Sequence, residues 1–237
     1  MNKLCFALIL VAVVSQSPAQ RPDSFDLHAS NFQLLQDDGI RKHLKVTEAQ
    51  RARMNQHAER YNARINKLRE SVKGKNPPRA EQEKIGAQIT GMLTSLKGQV
   101  LGELSAAQLR RLRQISLQSY GLRALADEVV SKRVGLSSAQ LTQVRTRLRT
   151  AAEQVLEIEK KTVEPIAKRY QAKSPKSDAE RKQLQEAYAK EVREAGAKTR
   201  PRVAKIEQDT AAAIRRVMTA AQRKSWESLL GQTYRPA

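Results

Sequence analysis

The sequence predicts an all-α protein built from two tandem helical-hairpin units. Each unit runs short helix, long helix, return helix, capped helix, and the whole is expected to be elongated. Two observations carry this: a short helix-start pattern occurs four times, and a seam of apolar residues at helical spacing occurs twice. The pattern is Val46-Thr47-Glu48-Ala49-Gln50, Leu104-Ser105-Ala106-Ala107-Gln108, Leu136-Ser137-Ser138-Ala139-Gln140 and Met218-Thr219-Ala220-Ala221-Gln222. Its common form is an apolar residue, Ser or Thr, two variable residues and Gln.

This form starts a helix because the first turn leaves backbone N–H groups without partners. The hydroxyl of Thr47, Ser105, Ser137 or Thr219 accepts from the N–H three residues on. The side chain of Gln50, Gln108, Gln140 or Gln222 reaches back to the cap residue's own N–H. The apolar residue ahead of the cap can also staple onto the position five later. Leu104 with Leu109 and Leu136 with Leu141 satisfy this, whereas Val46 and Met218 face Arg51 and Arg223.

A shift of 90 residues lays Asp37, Ile40, Leu44, Val46 and Gln50 over Asp127, Val130, Val134, Leu136 and Gln140. Asp37 and Asp127 read as caps of the short helices. The same shift aligns two seams, Met54-Ala58-Tyr61-Ile65-Leu68-Val72 and Val144-Leu148-Ala151-Val155-Ile158-Thr162, which share the spacings 4, 3, 4, 3, 4. That heptad spacing packs one helix along another at a shallow angle. The long helices end in the basic turns KGKNPP (73–78) and QAKSPKSD (171–178).

The first return helix shows Ile85, Ile89, Met92, Leu96 and Val100, with Gly86, Gly91, Gly98 and Gly102 each costing about 1 kcal/mol relative to alanine. The second shows Leu184, Tyr188, Val192, Val203, Ile206 and Val217, with Pro201 expected to kink it. Gly121 and Gly231 suit the ends of the capped helices. Paired boxes lie 58 residues apart in the first unit and 82 in the second. The surplus, shared between two antiparallel arms, lengthens the second hairpin by about 18 Å. A continuous return helix over 178–217 spans about 60 Å, against about 44 Å for the diameter of a compact chain of this size.

Around this core, residues 1–19 read as a signal peptide: Lys3, an apolar run from Leu4 to Val14, and small residues at Ser17 and Ala19. Cleavage after Ala19 removes Cys5, the one cysteine, and leaves a thiol-free chain for the periplasm or a secreted destination. Residues 20–33 read as a flexible segment, 34–121 as the first unit and 122–237 as the second. The formal charge of +20 implies an anionic or acid-rich partner without selecting a fold.

The paired boxes in a basic chain with an export signal resemble the LTxxQ family of periplasmic Spy and CpxP proteins. That resemblance, over about residues 34–235, implies helical units with two motifs each, a possible pseudo-dimer within one chain, and ATP-independent chaperone or envelope-stress activity. Val46 and Met218 depart from the family's leucine, and Ser105 and Ser137 from its threonine, without loss of capping chemistry.

No catalytic, cofactor or metal site is read from the sequence. His28, His43 and His57 lack His or Cys partners at helical spacing and read as solvated or capping residues. Phosphate-loop and nucleophile-elbow patterns are absent. Glu157 with Lys161 and Glu164 with Lys168 read as surface pairs.

The candidate client-binding residues are Arg53, Arg60 and Lys67, recurring every seven residues along one flank of the first seam, with Arg64 on the other flank. None has an acid four residues before it, so the flank is either a solvated helix face or a positive lining beside apolar groups. Leu156 and Val163, seven apart and off the second seam, form either further core or an exposed client surface. The expected function is a non-enzymatic binding protein for unfolded or acidic protein clients. The alternative is a structural or regulatory adaptor engaging one protein or an anionic envelope polymer. Nucleic acid is disfavoured by the 4% aromatic content and the absence of a recognition motif.

Overall fold

The computed structural model describes residues 21–74 and 77–236. The expected signal peptide and its cleavage point therefore lie outside the described residues, as does the middle of the first basic turn. Among the described residues the chain is all α, with no strand. Its helices are α1 (Ser24–Ala29), α2 (Asp38–His43), α3 (Glu48–Val72), α4 (Arg79–Gly102), α5 (Ala106–Tyr120), α6 (Glu128–Val134), α7 (Ser138–Gln171), α8 (Asp178–Val217) and α9 (Ala220–Leu230). Short 3₁₀ segments at Phe32–Gln36 and Gly121–Ala126 precede α2 and α6. The chain divides into two compact units, one holding residues 31–112 with the segment up to Leu27, the other holding 113–235 with His28–Ser30. The division falls inside α5, where the sequence reading placed it at 121.

In the first unit the Asp37 side chain accepts from Ile40 N–H and starts α2, and Thr47 accepts from Gln50 N–H and starts α3. α3 packs along α4. Met54 and Ile65 of the seam are buried, and Ala58, Tyr61, Leu68 and Val72 are half-buried. On α4, Leu96, Val100 and Leu101 are buried, followed by Leu104, Leu109 and Leu112. Each such side chain contributes about 1.5–3 kcal/mol by leaving water. Ile89, expected in this core, is instead 38% exposed and Leu93 43%. A two-helix arm has no third element to cover that flank.

Residues 20–33, expected as a flexible segment, form ordered structure from residue 24 onward. α1 starts with its own reciprocal cap, Asp26 N–H donating to Asp23 Oδ1 at 2.7 Å and Asp23 N–H to Asp26 Oδ2 at 3.3 Å. Phe25 is only 4% exposed. The segment lies against two of the glycines that weaken α4: a Cβ on Gly102 would sit 3.8 Å from Pro22 Cδ, and one on Gly98 4.0 Å from Leu27 Cδ2.

Both short helices end in the same C-terminal motif. Val46 N–H donates to Arg41 O and Lys45 N–H to Lys42 O in one; Leu136 N–H donates to Ser131 O and Gly135 N–H to Lys132 O in the other. The motif requires a left-handed residue at the position of Lys45 and Gly135. Gly135 takes it at φ 84°, but Lys45 takes it at φ 53° as the one non-glycine residue with positive φ among the described residues. Its Cβ crowds the carbonyl oxygen there, costing about 1–2 kcal/mol. Lys45→Gly is therefore expected to raise stability by about 1 kcal/mol, read as a higher urea midpoint. A lower midpoint would show that the strain is absent.

In the second unit Asp127 caps α6 and Ser137 caps α7. α7 packs along α8. Val144 and Ile158 of its seam are buried, and Leu148, Ala151, Val155 and Thr162 are half-buried. Ile166 and Ile214 are buried on the facing helices. α8 continues through Pro201, and α7 through Pro165.

Near the tip, the rings of Tyr170 and Tyr188 meet edge to face at 5.3 Å. Arg223, which replaces the hydrophobic staple of α9, bonds back to the carbonyls of Arg215 and Met218 at 3.0 and 2.6 Å and so caps the end of α8. No described helix is long and apolar enough to cross a membrane.

Candidate functional site

Two features recur in both hairpins at matching positions, one at the base and one along the arms. At the base, all four boxes form. The cap N–H donates to the box glutamine at 3.0 Å for Thr47, 2.8 Å for Ser105, and 2.9 Å for Ser137 and Thr219. The reverse bonds, from the glutamine N–H to the cap hydroxyl, are 3.2–3.3 Å.

The glutamines also join the boxes in pairs. Gln50 Nε2 donates to Gln108 Oε1 at 2.8 Å and to Glu103 O at 2.6 Å; Gln108 Nε2 donates to Gln50 Oε1 at 3.2 Å and to Lys45 O at 3.0 Å. Gln140 and Gln222 repeat this with Val217 O and Gly135 O, at 2.6–2.9 Å. Each amide thus uses both N–H donors and both acceptor sites of its oxygen, its full capacity. A capping box alone tolerates glutamate at this position. The amide pair does not, because a carboxylate has no donor, and this accounts for glutamine in all four boxes.

Along the arms, one face of each hairpin carries a groove. In the first unit α3 contributes His57, Arg60, Tyr61 and Arg64. The 90-residue shift carries these onto Arg147, Thr150, Ala151 and Gln154 of α7, which line the groove of the second unit. α4 contributes Met92, Ser95, Leu96 and Gln99, and α8 contributes Ile206, Asp209, Thr210 and Ala213 at the matching positions counted from the second box. The same groove is therefore built twice with different side chains. Bulk closes the first, about 100 Å³, and its loss opens the second, about 590 Å³. The first lining holds no acid, whereas the second contains Asp209, which is paired with Lys205 at 3.2 Å.

The charges of the first groove are ordered by Glu103, at the end of α4. Its carboxylate accepts from Arg53 Nε at 2.5 Å and bonds His57 Nε2 at 2.9 Å. His57 Nδ1 lies 3.5 Å from Arg60 Nη2, and Arg60 Nε donates to Gln56 O at 3.2 Å. His57 thus stands between the two charges, its Nε2 on Glu103 and its Nδ1 toward Arg60. Burial pushes the Glu103 carboxyl up, but the bonds from Arg53 and His57 and their charges outweigh it and leave it below the usual carboxylate range.

Asp127 behaves similarly. Burial raises it, while the His28 bond at 2.7 Å and the N–H groups of Val130 and Val129 lower it further than burial raises it. A carboxyl lowered by folding contributes stability that is complete above its unfolded value, about 4.3 for Glu and 3.9 for Asp, and is lost as pH falls through the folded value. The melting temperature is accordingly expected to drop as pH falls from about 5 to 3, and Glu103→Gln should flatten that slope. An unchanged slope would show that Glu103 is not one of the titrating groups.

The structure separates the residues singled out in the sequence. Arg60 and Arg64 line the first groove, and Lys67 lies exposed beyond it toward the tip; among the described residues none of the three has an acid within ion-pair distance. Arg53 does not share that status, because Glu103, fifty residues along the chain, compensates it. Leu156 is 64% exposed, while Val163 is half-buried, so the suspected strip divides into surface and partial core. Glu157–Lys161 and Glu164–Lys168 are ion pairs at 3.0 and 2.7 Å, as spaced. The three histidines bond Asp127, Arg111 and Glu103 rather than solvent alone. The second groove went unseen in the sequence, because its signal is the loss of bulk at Ala151, Thr210 and Ala213 and small residues draw no attention by themselves. No family model, curated protein or solved structure matches this chain.

Proposed function

We propose that this chain is a non-enzymatic, ATP-independent chaperone-like protein of the periplasm or a secreted space, built from a tandem pair of LTxxQ-like units and binding unfolded or acidic clients. The observation that carries the reading is one face of α3, where Arg64, expected on the flank opposite Arg60, shares its groove because the two stand one helical turn apart. Arg60, Arg64 and Lys67 stand without acidic partners among the described residues, and the same hairpin leaves Ile89 and Leu93 partly exposed. Uncompensated cations in a groove that also holds Met92 and Leu96 suit segments that are acidic and apolar by turns, and the charge of +20 speeds encounter with them. Leu156 adds an apolar point on the second hairpin.

The test is suppression of aggregation of unrelated acidic clients without nucleotide. Reversing Arg60, Arg64 and Lys67 to glutamate is expected to reduce protection several-fold more than reversing the exposed Lys182, Lys190 and Arg193, at unchanged helix content. Arg53 is left in place, since a glutamate there would face Glu103. Equal losses would reduce the effect to net charge. Protection of no client by the unaltered protein would favour the adaptor reading instead.

A further inference from the structure

We propose that the α3–α4 groove is a discrete site for the carboxylate of an acidic, otherwise apolar peptide segment, present once per chain, and that its counterpart on α7–α8 has lost this ability. The inference rests on the client-binding reading and narrows it to one ligand group and one place. Two guanidinium groups, Arg60 and Arg64, face a space of about 100 Å³. That is room for a small polar group such as one carboxylate and far below the 300–1,000 Å³ of a drug-sized pocket. Ser95 and Gln99 bring neutral donors on the opposite wall, and Met92 and Leu96 supply apolar contact for the segment's neighbouring side chains. Arg60 is held in place by the Gln56 carbonyl and by His57, which is itself fixed by Glu103. Glu103 spends its charge on Arg53 and His57, so it orders the site without neutralising Arg60 or Arg64.

The second groove carries Thr150 and Gln154 where the arginines stand, and Asp209 where Ser95 stands. Its extension toward the tip adds Glu153 and Glu157 together with Lys161, which pairs with Glu157 at 3.0 Å, and Arg202. A carboxylate entering there meets Asp209 and finds two arginines on different helices, Arg147 on α7 and Arg202 on α8, with no guanidinium pair one turn apart on a single helix. The repeat has therefore kept one geometry and given it two electrostatic characters.

The experiment titrates a short fluorescent peptide of alternating glutamate and leucine, blocked at both ends, and its glutamine counterpart, into the mature protein at neutral pH and about 0.15 M salt, where long-range attraction is largely screened. One glutamate peptide per chain is expected, and weak or no binding of the glutamine peptide. Arg60→Gln with Arg64→Gln should lower affinity about tenfold, while Lys182→Gln with Lys190→Gln, an equal loss of charge, should change it less than about twofold. Rebuilding the first groove in the second, by Thr150→Arg, Gln154→Arg and Asp209→Ser, should raise the stoichiometry from one to two.

Equal losses from the two charge pairs, comparable binding of the glutamine peptide, or a folded triple variant that still takes one peptide would each overturn the proposal. Aggregation protection measured on the same samples keeps the two readings apart. Protection without peptide binding would sink this site alone, and peptide binding without protection would sink the chaperone reading alone.

Discussion

Replacing Gln140 by glutamate is expected to destabilise the protein by about 2–3 kcal/mol at neutral pH, although glutamate is as good a capping-box residue as glutamine. The cap survives the change, because a carboxylate oxygen still accepts from Ser137 N–H. What goes is the donor set. Val217 O loses the bond from Gln140 at 2.7 Å, Gln222 Oε1 loses one of its two donors at 2.9 Å while keeping Thr219 N–H, and a negative charge is set beside two acceptors. A part-buried acceptor left without a partner costs about 1–3 kcal/mol. Ser137→Ala, which removes the cap and spares the amide pair, is expected to cost about 1 kcal/mol. Urea unfolding of both variants decides between them: if Gln140→Glu costs no more than Ser137→Ala, the amide pair contributes nothing and the boxes act as caps alone.

The apolar residue ahead of each cap carries the second large effect. Leu104 is fully buried, Met218 is 3% and Leu136 8% exposed, and Val46 is only half-buried. Leu104→Ala is expected to cost about 3 kcal/mol, since it removes a buried side chain and leaves a cavity that its neighbours Leu101 and Leu109 can only partly fill. Val46→Ala should cost about 1 kcal/mol, because water already reaches that side chain. The four alanine variants should rank with burial, Leu104 the most sensitive and Val46 the least. A flat series would mean that the capping chemistry, shared by all four, governs the energetics and packing does not.

The contrast between these two variants shows what the sequence carried. Helix starts are local: Thr47 and Gln50 are three residues apart and meet as soon as the chain turns, so they could be read directly. The seam was legible for the same reason, since Met54, Ile65, Val144 and Ile158 fall on one face by spacing alone. Partners chosen across the fold were not. Gln50 gives no sign that it meets Gln108, and Arg53 gives none that it meets Glu103, because the register of α3 on α4 sets both. Lys45 in a left-handed position ran against the glycine rule, and only comparison with Gly135 exposes it. Phe25 carries no such signal, because α1 is too short to show a period. The first groove was half-legible, as a run of cations whose compensation could not be known. The second was invisible, as an absence of bulk.

The reciprocal amide pair has a further consequence for assembly. It is symmetric: each glutamine offers its partner what it receives, so the bond carries no label saying which box it joins. Gln50 would close on Gln222 with the same chemistry as on Gln108. Fidelity must come from elsewhere, from the short covalent turn that returns each arm to its own base and from the side chains that mesh along it. A domain swap, in which an arm opened and closed on an identical base in a second molecule, would leave the bonding at the base almost unchanged. Such an exchange is limited by concentration and by the cost of opening the arm. The hairpin more exposed to it is the first, where α4 carries four glycines and the base is held by a strained Lys45.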